Sequence, residues 1–211
     1  MIDWVRRSLE GLPPVSAGRF YLHGSHDRSR RRAGGISLEI DAGTAFGTGH
    51  HATTLGCLKA LDGILKADRA SRILDVGCGT GVLALAAARA LRCRVLASDI
   101  DPEAVMVTKR NARLNGAGPW VEAITATGTS DARIANGGPY DLIFANILAL
   151  PLIRLASPLS NLLAPSGRIV LSGLTADQER TVFAAYRSRG LVRERRIPDR
   201  NWMTLVLRHP G

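Results

Sequence analysis

Hydrophobic residues in this chain follow two alternating patterns, short apolar runs and longer stretches with helical spacing. Short apolar runs bounded by Gly, Pro or polar residues are typical of strands in a sheet. They predict strands at 20–23, 36–40, 73–76, 94–100, 120–125, 140–147, 167–173, 191–197 and 202–207. The remaining apolar residues predict helices at 50–66, 82–91, 102–114 and 148–163, and one from a capping box at 175–178 to about 189.

This alternation predicts a doubly wound α/β domain at 41–211 with a mostly parallel seven-stranded sheet. The last two runs are separated only by residues 198–201, so we expect an antiparallel hairpin at the C-terminus. Residues 1–40 are poor in apolar side chains and are interpreted as a linker or fringe packed on this domain, with a short helix at 3–9. Polar loops are expected at 26–32 and 127–138.

A glycine-rich turn separates the predicted strand at 73–76 from the helix at 82–91. Gly77, Gly79 and Gly81 occupy alternate positions, which allows a tight turn and a close approach of a ligand to the helix N-terminus. The dinucleotide-binding pattern G-x-G-x-x-G would need its third glycine where this chain has Val82. The turn is instead similar to motif I of class I methyltransferases, which bind S-adenosylmethionine. An NAD-dependent enzyme is therefore the less favoured interpretation.

Two polar residues stand at the ends of predicted strands. Asp99 follows Gly77 at nearly the spacing at which a carboxylate meets ribose hydroxyls in such folds. Asp101, with Pro102 after it, supplies the helix cap, which leaves Asp99 available for a ligand. Asn146 ends another apolar run and would face the same crevice, although asparagine at a strand end is often only a turn residue.

A second glycine-rich loop, at 41–54, precedes this motif and runs into the helix at 50–66. Such a loop could fold over a bound ligand. His50 and His51 are adjacent, so on a helix their side chains diverge by about 100° and do not suggest a metal site. We expect no metal ion.

The 211 residues carry a formal net charge of +10, and that charge is uneven. Residues 1–40 contribute +3 and residues 180–211 contribute +6, whereas 41–179 contribute +1. Basic flanks favour RNA or ribonucleoprotein through counterion release. Solvated Arg-rich loops are the simpler interpretation, and direct nucleic-acid binding through these flanks is kept as the less favoured alternative.

Other features exclude several classes of protein. No apolar run approaches the roughly 20 residues that span a bilayer, and the N-terminus lacks the apolar core of a secretory signal. The three cysteines share no C-x-x-C spacing, so neither a disulfide framework nor a zinc site is indicated. We expect a cytoplasmic protein without membrane contact.

Three separated stretches together resemble the bacterial methyltransferases of ribosomal protein L11. They are AFGTGHHATT at 45–54, DVGCGTG followed by SDIDPEA within 75–104, and FANILA at 144–149. The resemblance runs from about residue 3 to the C-terminus. It implies a Rossmann-like, S-adenosylmethionine-dependent enzyme that methylates lysine side chains and the N-terminal amine of a ribosomal large-subunit protein, releasing S-adenosylhomocysteine.

The resemblance also implies the site residues. By position, cofactor contacts would be Phe46, Thr54, Gly77, Gly79, Asp99 and Asn146. Family members usually begin with a small recognition domain joined by a linker, and this chain begins near that linker. The resemblance thus implies that the substrate-recognition domain is absent.

No acidic residue or histidine in these motifs stands out as a general base. We hypothesise that the Asn146 carbonyl oxygen holds the amine while water removes its proton. Two alternatives stay open: a lysine methyltransferase of another protein, such as the electron-transfer flavoprotein β-subunit, and a cofactor-binding module without activity.

Overall fold

The computed structural model describes residues 14–30, 34–40 and 50–210. Its strands are β1 Val15–Ala17, β2 Phe20–His23, β3 Ile36–Glu39, β4 Ile73–Val76, β5 Val95–Asp99, β6 Val121–Thr125, β7 Tyr140–Asn146, β8 Leu163–Thr175, β9 Val192–Asp199 and β10 Trp202–Arg208. Its helices are α1 His50–Ala67, α2 Val82–Leu91, α3 Pro102–Leu114, α4 Ala132–Gly137, α5 Ala149–Arg154, α6 Ala156–Leu162 and α7 Glu179–Arg187, with a 3-10 helix at Ser25–Arg30. The helix expected at 3–9 lies outside the described residues.

The main sheet has seven strands in the order β6-β5-β4-β7-β8-β10-β9. Strands β4 to β8 are parallel to one another, and β10 is antiparallel to both β8 and β9. The predicted fold, including the C-terminal hairpin, is confirmed. Chain order reverses between β4 and β7, and this switch point opens a crevice at the carboxyl ends of those two strands.

Helices cover both faces of the main sheet. Buried residues of α1 and α2, with Val105 and Ala112 of α3, form a core on one face. Buried residues of α4 to α7 pack on the other. Within the described ranges, no helix is both long and apolar enough to cross a membrane.

A smaller sheet of β1, β2 and β3 packs against the first core. Phe20, Leu22 and Leu38 are buried in the same cluster as α1 and α2. Arg19 Nε donates to Asp62 Oδ1 of α1 at 2.7 Å. Burial alone would raise the pKa of Asp62, but hydrogen bonds from Arg19 and Lys66 outweigh burial and lower it. The segment described from residue 14 thus shares the core of the larger unit, and the boundary after residue 40 stays a prediction.

Two expected loops contain short helices. In the 127–138 segment, Asp131 accepts a hydrogen bond from the Arg133 amide at 2.8 Å and caps α4. The segment expected as a loop at 26–32 begins inside the 3-10 helix. Both helices are only six residues long, too short for an apolar stripe to be visible in the sequence.

Candidate functional site

The glycine turn sits between the ends of β5 and β7. The amides of Gly77 and Cys78 both donate to the Ser98 carbonyl, at 2.8 and 3.0 Å, and this anchors the turn on β5. Gly77 has φ 72°. A methyl group placed on it would lie 2.2 Å from Cγ2 of Ile147, the residue after β7. Only glycine fits so close an approach, and the turn therefore lies directly beside the end of β7.

The Asp99 carboxylate faces the same turn. Its Oδ2 accepts from the Gly79 amide at 2.8 Å, and its Oδ1 accepts from the Asp101 amide at 3.1 Å. Asp101 caps α3 as expected, accepting from the Glu103 amide at 2.8 Å. Asp99 is thus held in place by two backbone amides rather than left without partners. Each of its oxygens still has a lone pair for a further donor, such as a hydroxyl group.

The surface next to Asp99 is open among the described residues. A methyl group placed on Gly79 would meet no heavy atom within 4 Å. Ile100, the residue after Asp99, has a side chain that is 68% exposed. The Asp99 carboxylate and the uncrowded backbone of Gly79 are therefore adjacent, and a carboxylate of this kind can accept bonds from the hydroxyl groups of a sugar.

Asn146 lies at the carboxyl end of β7, one residue beyond the pair formed by Val76 and Ala145. It therefore lies alongside Gly77. Its Oδ1 atom is buried and has no hydrogen-bond partner among the described residues. An unsatisfied buried acceptor costs about 1–3 kcal/mol, so this oxygen favours a ligand that brings a donor.

The structure brings together four of the six predicted site residues: Gly77, Gly79, Asp99 and Asn146. Thr54 is buried on α1, which packs on β7, β8 and β10. Phe46 lies outside the described residues, as does most of the glycine-rich loop before α1. Their roles stay predictions.

Two further residues near the crevice were not predicted from the sequence. A methyl group placed on Gly173 of β8 would lie 2.3 Å from the Ile147 carbonyl oxygen, so the backbone after β7 passes close to β8. Asp75 of β4 is fully buried and accepts from the Ala84 amide at 3.0 Å. Burial raises the pKa of Asp75 to about 7; the Ala84 amide opposes the shift and the negative charge of Asp99 adds to it. A polar residue inside an apolar run was the available signal for Asp75.

Comparisons with known proteins identify the family of this chain. The family model described as ribosomal protein L11 methyltransferase matches residues 1–210. A ribosomal protein L11 methyltransferase of Bradyrhizobium diazoefficiens is 55% identical over 209 residues, covering 99% of this chain and 71% of that relative.

Solved structures give the same result. The crystal structure of a ribosomal protein L11 methylase from Lactobacillus delbrueckii subsp. bulgaricus superposes with a TM-score of 0.81 at 25% identity, covering 95% of this chain and all of that one. A TehB-like SAM-dependent methyltransferase from Corynebacterium glutamicum, 18% identical, shares the fold with a TM-score of 0.57 over 74% of this chain and 88% of that one. The chain therefore belongs to the ribosomal protein L11 methyltransferase family and is an S-adenosylmethionine-dependent methyltransferase.

Proposed function

We propose that this enzyme methylates amino groups of ribosomal protein L11, with the cofactor held at the carboxyl ends of β4 and β5 and the amine at Asn146. The buried Oδ1 of Asn146, which has no hydrogen-bond partner among the described residues, is the observation that carries the proposal. A neutral amide oxygen accepts an N–H bond, and it lies beside the turn on which a cofactor would rest. The names of the full-length relatives support the choice of substrate.

The residues present fit S-adenosylmethionine. Asp99, braced by two amides, would accept hydrogen bonds from the ribose hydroxyls, and Ile100 would cover one face of the adenine ring. The glycine turn would allow the backbone to approach the ligand. When bound, the cofactor supplies an activated methyl group on a positively charged sulfur.

Asn146 would align the amine with that methyl group. Transfer forms the new N–C bond as the S–C bond breaks, which leaves S-adenosylhomocysteine. The nucleophile must be unprotonated, because a lysine ammonium has no lone pair and an ordinary pKa near 10.4. In this proposal water takes the amine proton, and Asn146 orients the nitrogen rather than acting as a base. A ribosomal substrate would place the enzyme in the cytoplasm.

Two matched variants separate cofactor binding from amine positioning. Asp99→Ala should weaken S-adenosylhomocysteine binding roughly 10- to 100-fold, as expected from losing charge-assisted hydrogen bonds worth about 1.5–3 kcal/mol. Asn146→Ala should leave that affinity nearly unchanged but slow methyl transfer by on the order of 100-fold, the loss expected when a nucleophile is misplaced by about 1 Å. Calorimetry with S-adenosylhomocysteine and single-turnover transfer measure the two effects. Full turnover by Asn146→Ala would remove Asn146 from the mechanism.

The substrate is tested by mass spectrometry of two purified proteins incubated with enzyme and cofactor. Ribosomal protein L11 should gain methyl groups, and the electron-transfer flavoprotein β-subunit should not. Methylation of the second protein alone would overturn the proposed substrate. Cofactor binding without transfer to either protein would favour the inactive-module alternative.

A further inference from the structure

A second concave surface lies at the other end of the main sheet from the crevice. This surface, here called the basic cleft, has a volume of about 830 Å³. The first residues of three parallel strands, Ile73, Val95 and Val121, line it in register. The lining also follows the edge strand β6 as far as Ile124, but it includes none of Gly77, Gly79, Asp99 and Asn146. On β4 the glycine turn begins four residues after Ile73, about 13 Å along a parallel strand. The basic cleft and the cofactor crevice therefore share no residue.

Five exposed cations line the basic cleft, two from strand starts and three from the helices α3 and α4. They are Arg72, Arg94, Lys109, Arg113 and Arg133. Glu122 is the single carboxylate in its lining. Asp141 lies nearby, but its carboxylate already accepts bonds from the Ser71 amide and hydroxyl and from the Arg72 amide. The cleft therefore carries a clear excess of positive charge.

Ion pairing inside the protein leaves most of that charge uncompensated. Arg133 pairs with Asp131 at 2.8 Å and lies 4.0 Å from Glu122. The other four cations of the cleft form no ion pair with any described residue. By contrast, Arg193 and Arg196 of the basic C-terminal flank share Glu179, at 3.0 and 2.8 Å. Most of the positive charge in the cleft is therefore available to an external anion.

An aromatic ring lies among these cations. Trp120 is partly buried, packs on the core and lines the cleft. Cations that follow a phosphate backbone, combined with an aromatic side chain on which a base stacks, are the usual elements of a single-stranded nucleic-acid site. An acidic polypeptide would satisfy the charges but would not use the ring.

We propose that the basic cleft binds single-stranded RNA, with Arg72, Arg94, Lys109 and Arg113 on the phosphates and Trp120 stacked on a base. RNA is favoured over DNA because relatives of this chain are named for a ribosomal protein, and ribosomes are RNA–protein particles. The inference does not depend on which amine the enzyme methylates. RNA in the cleft would leave the cofactor crevice open.

Fluorescence anisotropy with a labelled twelve-nucleotide oligouridylate at several KCl concentrations tests the proposal. The variant Lys109→Ala/Arg113→Ala should bind about tenfold more weakly at 100 mM KCl. Its plot of log affinity against log salt should lose about 1.4 in slope, since each phosphate contact on a single strand contributes about 0.7. Trp120→Leu should weaken binding with the slope unchanged.

Arg180→Ala/Arg187→Ala is the matched control, because it removes two exposed charges from the surface of α7, outside the cleft. It should bind the oligonucleotide within twofold of the parent protein. All variants should keep their affinity for S-adenosylhomocysteine, which shows that they are folded. Equal losses in the two double variants would overturn the proposal. Displacement of the RNA by oligoglutamate of equal length and concentration would also overturn it.

Discussion

Asp75 illustrates how one buried carboxyl affects the whole protein. It lies on a central strand beside the glycine turn and has a pKa raised to about 7, chiefly by burial. In the unfolded chain the same group ionises near 3.8. As pH rises from about 4 to about 7, the unfolded state loses this proton while the folded state keeps it. The free energy of unfolding therefore falls progressively as pH rises across that window, and the loss is complete above about pH 7.

We expect Asp75→Asn to remove this pH dependence while keeping an oxygen for the Ala84 amide. Between pH 5 and pH 8 the parent protein should lose roughly 2–3 kcal/mol more stability than the variant, at 1.36 kcal/mol per unit of pKa difference. Urea unfolding at both pH values, without cofactor, measures the difference. Parallel pH profiles for the two proteins would show that Asp75 is ionised in the folded state.

The sequence predicted where individual site residues lie along the chain, but not which groups surround them in the fold. Asp99 and Asn146 were predictable because each ends an apolar run, and parallel strands gather their carboxyl ends at one edge of the sheet. The raised pKa of Asp75, and the lack of a partner for the Asn146 oxygen within the described part of the chain, depend on neighbours that are distant in sequence. Residues adjacent in sequence therefore could not reveal either property.

The glycine turn determines how closely the elements around the crevice can pack. Gly77→Ala would combine a left-handed φ, costing about 1–2 kcal/mol, with a clash against Ile147. Gly79→Ala would introduce a comparable φ, 54°, but no clash. We therefore expect Gly77→Ala to be the more destabilising variant in urea unfolding without ligand, by about 1–3 kcal/mol.

The double variant Gly77→Ala/Ile147→Ala isolates the contact. It should be more stable than the sum of the two single losses predicts, because the second substitution removes the clash. Additive losses would mean that the turn can shift away from Ile147.

Most strands and helices were predicted because they contain strong apolar runs. Elements with weak apolar patterns were not predicted. The strands of the main sheet and the long helices carry clear periodicity. By contrast, β1 has only three residues, and α4 has one buried side chain, Ile134. β1 forms by pairing with β2 across a two-residue turn, and α4 by packing Ile134 into the core, so neither is apparent from its own short sequence.

Over the whole molecule, the small sheet and the main sheet share one core. Phe20 is 1% exposed within it. Phe20→Ala should therefore lower the stability of the whole protein by about 3–5 kcal/mol, with a single unfolding transition. Calorimetry and circular dichroism should report the same midpoint. Tyr21→Ala, at a half-buried neighbouring position, is the control and should cost clearly less.

An early separate transition in Phe20→Ala would show instead that the first strands unfold alone, as a fringe would. The sequence predicted that this segment packs on the domain, but residues 14–40 supply too few apolar side chains to show that they are buried in its core. The basic cleft was not predicted either. Its cations come from two strand starts and two helices, whereas the charge pattern along the chain pointed to the flanks.

Strand β10 is the last element of the chain, yet it runs between β8 and β9. During synthesis β8 and β9 are made before β10, so the position between them is empty until residues 202–208 have left the ribosome. Until then β9 has no neighbouring strand in the sheet and β8 has an unpaired edge. A premature stop codon at position 202 would leave the same gap permanently, so such a product should be aggregation-prone and rapidly degraded.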